Sequence, residues 1–269
     1  SFGLTMGRTN AYDSYHMAET YKRLIKEGKF TTKELDEKVR RVLRLFYRTT
    51  MNRNKPYGFL CSEAHYDAAR KIAQEGIVLL KNERSLLPLD LSKTQRILVV
   101  GENAIKMMTV GGGSSSLKVQ QEILPLDGLH SSLPLGSSKN AHCTIDYARG
   151  YVGDTIQSFD GVTVGRSLRE TRSQAELTAE AVEKAKEADV VIFFGGLNKS
   201  DYQDCEGHDR KQYELPYGQN ELLEALVAVN PRLVYVNISG NAAAMPWVNK
   251  VPTIVQAWFL KLRSEERRV

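Results

Sequence analysis

Apolar and polar positions fall into blocks along this chain, and the blocks change period from one stretch to the next. At residues 96–101, 143–147, 190–194, 233–237 and 253–258 (RILVVG, CTIDY, VVIFF, LVYVN, TIVQAW) apolar residues crowd together, the pattern of strands covered on both faces. Residues 126–133, 174–187 and 218–229 instead return apolar side chains at helical spacing. Ser173 and Glu176 have the spacing of a capping box, and Pro216 and Asn230-Pro231 bracket the last of these helices. Such alternation predicts an α/β fold: a mostly parallel sheet covered by helices, whose ligands bind beyond the carboxyl ends of the strands.

The chain before this region reads differently. Tyr15, Ala18, Tyr21 and Leu24 mark a helix that stops at Gly28, and Leu35, Val39, Val42 and Phe46 give a second helix one apolar face, with Thr31 and Glu34 at capping-box spacing. Residues 52–61, beginning NRNKPYG, have the composition of a linker, so a boundary is expected there. Ser62 can cap a third helix carrying Ala64, Ala68, Ile72 and Gly76 on one face. Its tail, Ile77–Leu80, is expected to pass through a turn-rich connector into the first strand at Arg96.

Composition narrows the function classes. With 269 residues, 42% hydrophobic and 26% charged, the chain can bury a sizeable core. The net charge of +5 comes from cations interleaved with acids, which gives no stripe for a nucleic-acid backbone. Cys61, Cys143 and Cys205 form no CxxC pair, so neither a disulfide framework nor a zinc site is expected. No apolar run reaches membrane-spanning length, and the expectation is a soluble chain with no cofactor and no metal. Its compartment stays open: periplasmic or secreted if a leader precedes it, otherwise cytoplasmic.

Candidate chemistry sits in two loops. After the 96–101 strand, Gly111, Gly112 and Gly113 precede Ser114 and Ser115, a run that lets backbone approach a ligand closely, without either the GxGxxG or the GxxxxGK[ST] pattern. After the 190–194 strand, Asp201, Asp204, Glu206 and Asp209 crowd around Lys199, Arg210 and Lys211, and such crowding is expected to raise carboxyl pKa values. His208 lies inside this loop, where it can orient a carboxylate or face solvent; the other histidines are dispersed. Cys205 reads as a packing residue rather than a nucleophile. Two glycosylation patterns, at Asn198 and Asn237, read as chance matches.

Taken as a unit, Glu206-Gly207-His208-Asp209-Arg210 with Leu215-Pro216 and Gln219 resembles the acid/base loop of glycoside hydrolase family 3, the β-glucosidases and β-xylosidases. EGIVLLKN at 75–82, RILVVGENA, GGGSSS, NISGNAAAMPW and VPTIVQAWF are similar to further family stretches in the family's order, together covering about residues 13–259.

The resemblance implies a two-part architecture in which a (β/α) barrel carries the nucleophilic aspartate and an α/β sandwich domain leans its loops over the barrel mouth. Residues 1–51 would be the end of the barrel domain, 52–61 a linker, and 62–269 the sandwich domain, with an atypical charged tail at 261–269. It further implies Glu206 as the general acid/base, Gly111 to Ser115 as substrate-binding positions, and His208, Asp209 and Arg210 as their supports. The implied partners are a β-linked oligosaccharide or glycoside and the remaining barrel, with no nucleic acid or membrane and with room for homo-oligomers. The alternatives are a noncatalytic carbohydrate-binding module and a nucleotide-binding one. A strand followed at once by the charged tail leads us to expect an exposed sheet edge there.

Overall fold

The computed structural model describes residues 19–56, 58–59, 61–90, 93, 95–117, 119, 122–132, 143–154, 158–159, 162–163 and 167–259. The start of the first expected helix and the charged tail at 261–269 lie outside them. The chain divides into two compact units, Ser1–Phe59 and Leu60–Val269.

In the first unit, α1 (Glu19–Lys26) ends before Gly28, whose φ of +70° is one a glycine takes without steric cost. Helix α2 (Lys33–Arg48) starts later than the capping-box spacing predicts. Thr32 occupies the cap position without a side-chain bond, while Thr31 spends its hydroxyl on Glu34 at 2.7 Å. The apolar face of α2 is present but open, with Val39, Val42 and Phe46 each about half exposed.

The second unit opens with α3 (Glu63–Gly76), whose capping box joins Ser62 to His65. The structure corrects the next stretch. Val78–Asn82 is a strand, β1, rather than a helix tail and connector. Asn82 ends it by donating to the Leu87 carbonyl (2.8 Å) and accepting from the Leu87 amide (3.1 Å), which closes the turn that follows. Strands β2 (Gln95–Val100), β3 (Cys143–Ala148), β6 (Val190–Gly196), β7 (Leu233–Ile238) and β8 (Thr253–Gln256) follow the expected blocks. So do α4 (Pro125–Ser132), α5 (Gln174–Glu187) and α6 (Gln219–Val229); β4 (Ser158–Phe159) and β5 (Val162–Thr163) form a separate small hairpin.

The main sheet has six strands in the order β1-β8-β7-β6-β2-β3. All its pairings are parallel except β1 against β8. This arrangement overturns the expected exposed edge at the last strand. Strand β8 is interior, because β1, the strand missed in the sequence, zips onto its outer side.

Alternate residues of the central strands feed two cores. Leu98, Val100, Val191, Phe193 and Tyr235 pack under α5 and α6, while Ile97, Val99, Ile192, Phe194 and Val234 meet Ile105, Met108 and Leu126 on the opposite face. The continuous apolar runs therefore mark strands covered on both sides. No helix among the described residues is long and apolar enough to cross a membrane.

Candidate active site

The carboxyl ends of β2, β6, β7 and β8 open onto one cleft of about 800 Å³. Its lining includes Gly112 after β2, Lys199 to Arg210 in part after β6, Gly240 to Ala242 after β7 and Phe259 after β8. This is where ligands of parallel sheets bind, and it holds the acidic loop singled out in the sequence.

The loop is held from both sides. On one side the Glu206 amide donates to the Gly112 carbonyl at 3.3 Å, and Glu206 Oε2 accepts from the Ser114 amide at 2.9 Å and from the Ser114 hydroxyl. On the other, Asp204 accepts from the Gly240 amide at 2.7 Å and from the Asn241 side chain, Arg210 donates to the Ala242 carbonyl, and the Ala244 amide donates to Tyr213 at 2.9 Å. Where the loop enters α6, buried Gln219 both accepts from the Gly196 amide and donates to the Gly196 carbonyl, each at 2.8 Å. The two bonds satisfy a strand end that the ladder with β2, which stops at Phe193, does not reach.

The glycine run is used for close approach between loops. A Cβ at Gly111 would lie 2.9 Å from the Lys199 carbonyl oxygen, and one at Gly113, where φ is +73°, 2.8 Å from Cβ of Glu206. Gly112 lines the cleft, and exposed Ser114 holds the carboxylate. Ser115 is described in its backbone alone.

At Glu206 and Asp201 the expected rise in carboxyl pKa is reversed. Glu206 is lowered from its ordinary value because Ser114 donates to its charged form through hydroxyl and amide. Asp201 is lowered because His208 Nδ1 donates to it at 3.0 Å. Proximity in sequence suggested mutual repulsion. The fold instead turns these carboxylates outward to separate donors, and the Arg210 guanidinium goes to a carbonyl and lies 5.6 Å from the Tyr213 ring centre rather than to an acid.

His208 stacks on Tyr202, with ring centres 5.5 Å apart, and Asp209 lines the cleft. Burial, followed by the Asp201 carboxylate, raises the Cys205 thiol, which disfavours a free thiolate nucleophile there. Asn198 and Asn237 are buried, so neither glycosylation pattern presents its asparagine to solvent.

Sequence reasoning missed the ionic layer beneath the loop. Lys106 pairs with Asp154, both side chains nearly inaccessible, and Ser200 at the root of the acidic loop donates to the same carboxylate while accepting from Lys106 at 3.3 Å. Beside them Glu102 pairs with Arg149 at 2.5 Å and accepts from the Asp154 amide at 3.1 Å. Burial pushes the Glu102 carboxyl up, against the pull of Lys106 and Arg149. Each charge stands singly in the sequence among small and apolar residues. The signal that could have found the layer is a glutamate and a lysine within six residues of the end of a buried strand.

The glycosyl hydrolase family 3 C-terminal domain profile matches residues 77–265. A β-glucosidase of Bacteroides ovatus is 47% identical over 96% of this chain and 34% of its own length. A periplasmic β-glucosidase of Salmonella typhimurium is 31% identical over 96% of the chain and 34% of its own length. Among solved structures, a family 3 β-glucosidase of Bifidobacterium adolescentis superposes with a TM-score of 0.67 at 26% identity, covering 91% of this chain and 32% of that one. The chain thus spans about a third of the length of the relatives it matches.

Proposed function

This chain belongs to glycosyl hydrolase family 3, and on that premise we propose that it supplies the general acid/base, Glu206, of a retaining β-glycosidase. The substrate is a terminal β-linked glucose, or xylose, at the end of an oligosaccharide or glycoside. What supports this reading is the seat of Glu206: an exposed carboxylate at the mouth of the cleft, clamped between the glycine run and the loops after β6 and β7.

Retaining hydrolysis needs two carboxyl groups about 5 to 5.5 Å apart, one to attack the anomeric carbon and one to protonate the departing oxygen. Glu206 is the second. The nucleophile comes from a barrel domain of the parent enzyme, of which residues 1–51 are the end, while residues 62–269 form the sandwich domain. In the first step Glu206 gives its proton to the leaving oxygen; in the second its carboxylate takes a proton from the attacking water.

The Ser114 donors hold Glu206 ionised in this chain, the form the second step needs. Protonation for the first step follows when sugar and barrel exclude water and desolvation raises the carboxyl. Gly112 and Ser114 then line the subsite of the leaving group. His208, Asp209 and Arg210 support the loop, Arg210 through its bond to Ala242.

The test is Glu206→Ala in the intact parent enzyme. Loss of acid assistance costs roughly two to four orders of magnitude on cellobiose, and far less on an aryl glucoside whose leaving group needs no proton. Equal losses on both substrates, or normal cellobiose turnover, would exclude the role.

A further inference from the structure

Eight residues of the acidic loop, Asp201 to His208, bring three different metal-binding groups to one point. Asp201, Cys205 and His208 present a carboxylate oxygen, a thiol sulfur and an imidazole nitrogen that all lie within 4.8 Å of one another. Asp201 Oδ1 is shared: His208 Nδ1 stands 3.0 Å from it and Cys205 Sγ 3.6 Å. Around a tetrahedral zinc ion with bonds of about 2.0 to 2.3 Å, neighbouring donor atoms are separated by roughly 3.3 to 3.7 Å. The Cys205 separation from Asp201 Oδ1 falls inside that range and the His208 separation just below it, before any side chain moves.

We propose that Asp201, Cys205 and His208 form a binding site for one borderline-soft divalent cation, with Zn²⁺ as the natural occupant and Co²⁺ or Cd²⁺ as substitutes. The donor set selects the metal: a thiolate and an imidazole disfavour Mg²⁺ and Ca²⁺, which take oxygen ligands. On binding, the thiol proton leaves to solvent, the imidazole proton moves from Nδ1 to Nε2, and the cation takes the place of the two hydrogens now pointing at Asp201. Carboxylate and thiolate together neutralise a dication, and water completes the fourth position. Glu206 and Asp154 add negative charge nearby, against Lys199.

Two features favour binding over mere proximity. The imidazole plane is already fixed by its stack on Tyr202, so little rotamer freedom is lost. All three ligands come from one short loop, so binding does not require two domains to meet. Cys205 and His208 flank Glu206 in the chain, and a bound ion fastens the backbone on both sides of it. The effect on catalysis rests on the role proposed for Glu206; the binding itself does not.

Titration of the 269-residue chain with CoCl₂ under reducing conditions, followed by absorption, tests the site without any activity readout. One equivalent is expected to produce a thiolate-to-cobalt charge-transfer band with intense tetrahedral d–d bands, both removed by added Zn²⁺. Cys205→Ser abolishes the charge-transfer band, His208→Ala and Asp201→Asn each weaken binding at least tenfold, and Cys61→Ser leaves the spectrum unchanged. The three ligands are on the surface loop, and far-ultraviolet circular dichroism of each variant verifies the fold. No charge-transfer band in the wild type, a band that survives Cys205→Ser, or unchanged affinity in both His208→Ala and Asp201→Asn would overturn the proposal. If the spectra behave as expected while Glu206→Ala proves harmless in the parent enzyme, the metal site stands and the acid/base role falls.

Discussion

The backbone amide of Ser114 lies 2.9 Å from Oε2 of Glu206, although 92 residues separate them, and the Ser114 hydroxyl reaches the same oxygen. One residue on the loop after β2, through its amide and its hydroxyl, thereby holds the carboxylate on the loop after β6 and favours its charged form.

Replacing Ser114 by alanine removes the hydroxyl donor and leaves the amide. The folded-state pKa of Glu206 lies below its ordinary 4.5, so the bond contributes stability that is present above that value and lost as pH falls through the depressed pKa. Ser114→Ala should move the Glu206 titration up toward 4.5, read by carbon-detected NMR of the side-chain carboxyl in this chain. In the parent enzyme the alkaline limb of kcat/KM for cellobiose should shift upward with it, since that limb reports the acid in the free enzyme. A Glu206 titration unchanged by the substitution would show that the hydroxyl does not set the charge.

Gly113→Ala and Gly207→Ala separate backbone strain from steric contact. Both glycines have positive φ, +73° and +80°, and an alanine at either costs about 1 to 2 kcal/mol in that conformation. An added methyl at 113 would lie 2.8 Å from Cβ of Glu206, whereas at 207 nothing lies within 4 Å. Denaturant midpoints of both variants should fall, that of Gly113→Ala further because contact adds to strain. Only Gly113→Ala should also displace Glu206 from Ser114 and cut cellobiose turnover of the parent more than tenfold, which steady-state kinetics checks.

The buried pair of Lys106 and Asp154 predicts an asymmetry. Asp154→Ala strands an ammonium in the interior and frees the root of the acidic loop at Ser200, at a cost of about 3 to 5 kcal/mol. Replacing both partners by apolar residues of similar volume removes the stranded charge, and urea unfolding should find the double variant markedly more stable than Asp154→Ala.

Much of this architecture is legible in the sequence because it follows from local physics. The VVIFFGG run can only be a strand buried on both faces, and Ser173 with Glu176 closes its capping box as spaced. Strand β1 was not legible. It is five residues long, leaves α3 through a single extended residue, Ile77, and owes its existence to β8, some 170 positions further on. Glu206 stood out through its neighbours in sequence, but its partner did not: Ser114 is one of three consecutive serines, and only the crossing of two loops picks it out. Charge crowding misled for the same reason. Asp201, Asp204 and Glu206 find their donors in His208, in Gly240 with Asn241, and in Ser114, and three of these four lie outside the acidic loop.

The most direct test of Glu206 as acid/base is chemical rescue of Glu206→Ala in the intact parent enzyme, assayed on an aryl β-glucoside with a good leaving group. With the carboxylate gone, azide can enter the space it leaves and attack the glycosyl intermediate without base assistance. Turnover should then rise with azide concentration, and the product should be the β-glucosyl azide, the anomer that two inversions require. No rescue, or glucose as the sole product at every azide concentration, would contradict the role.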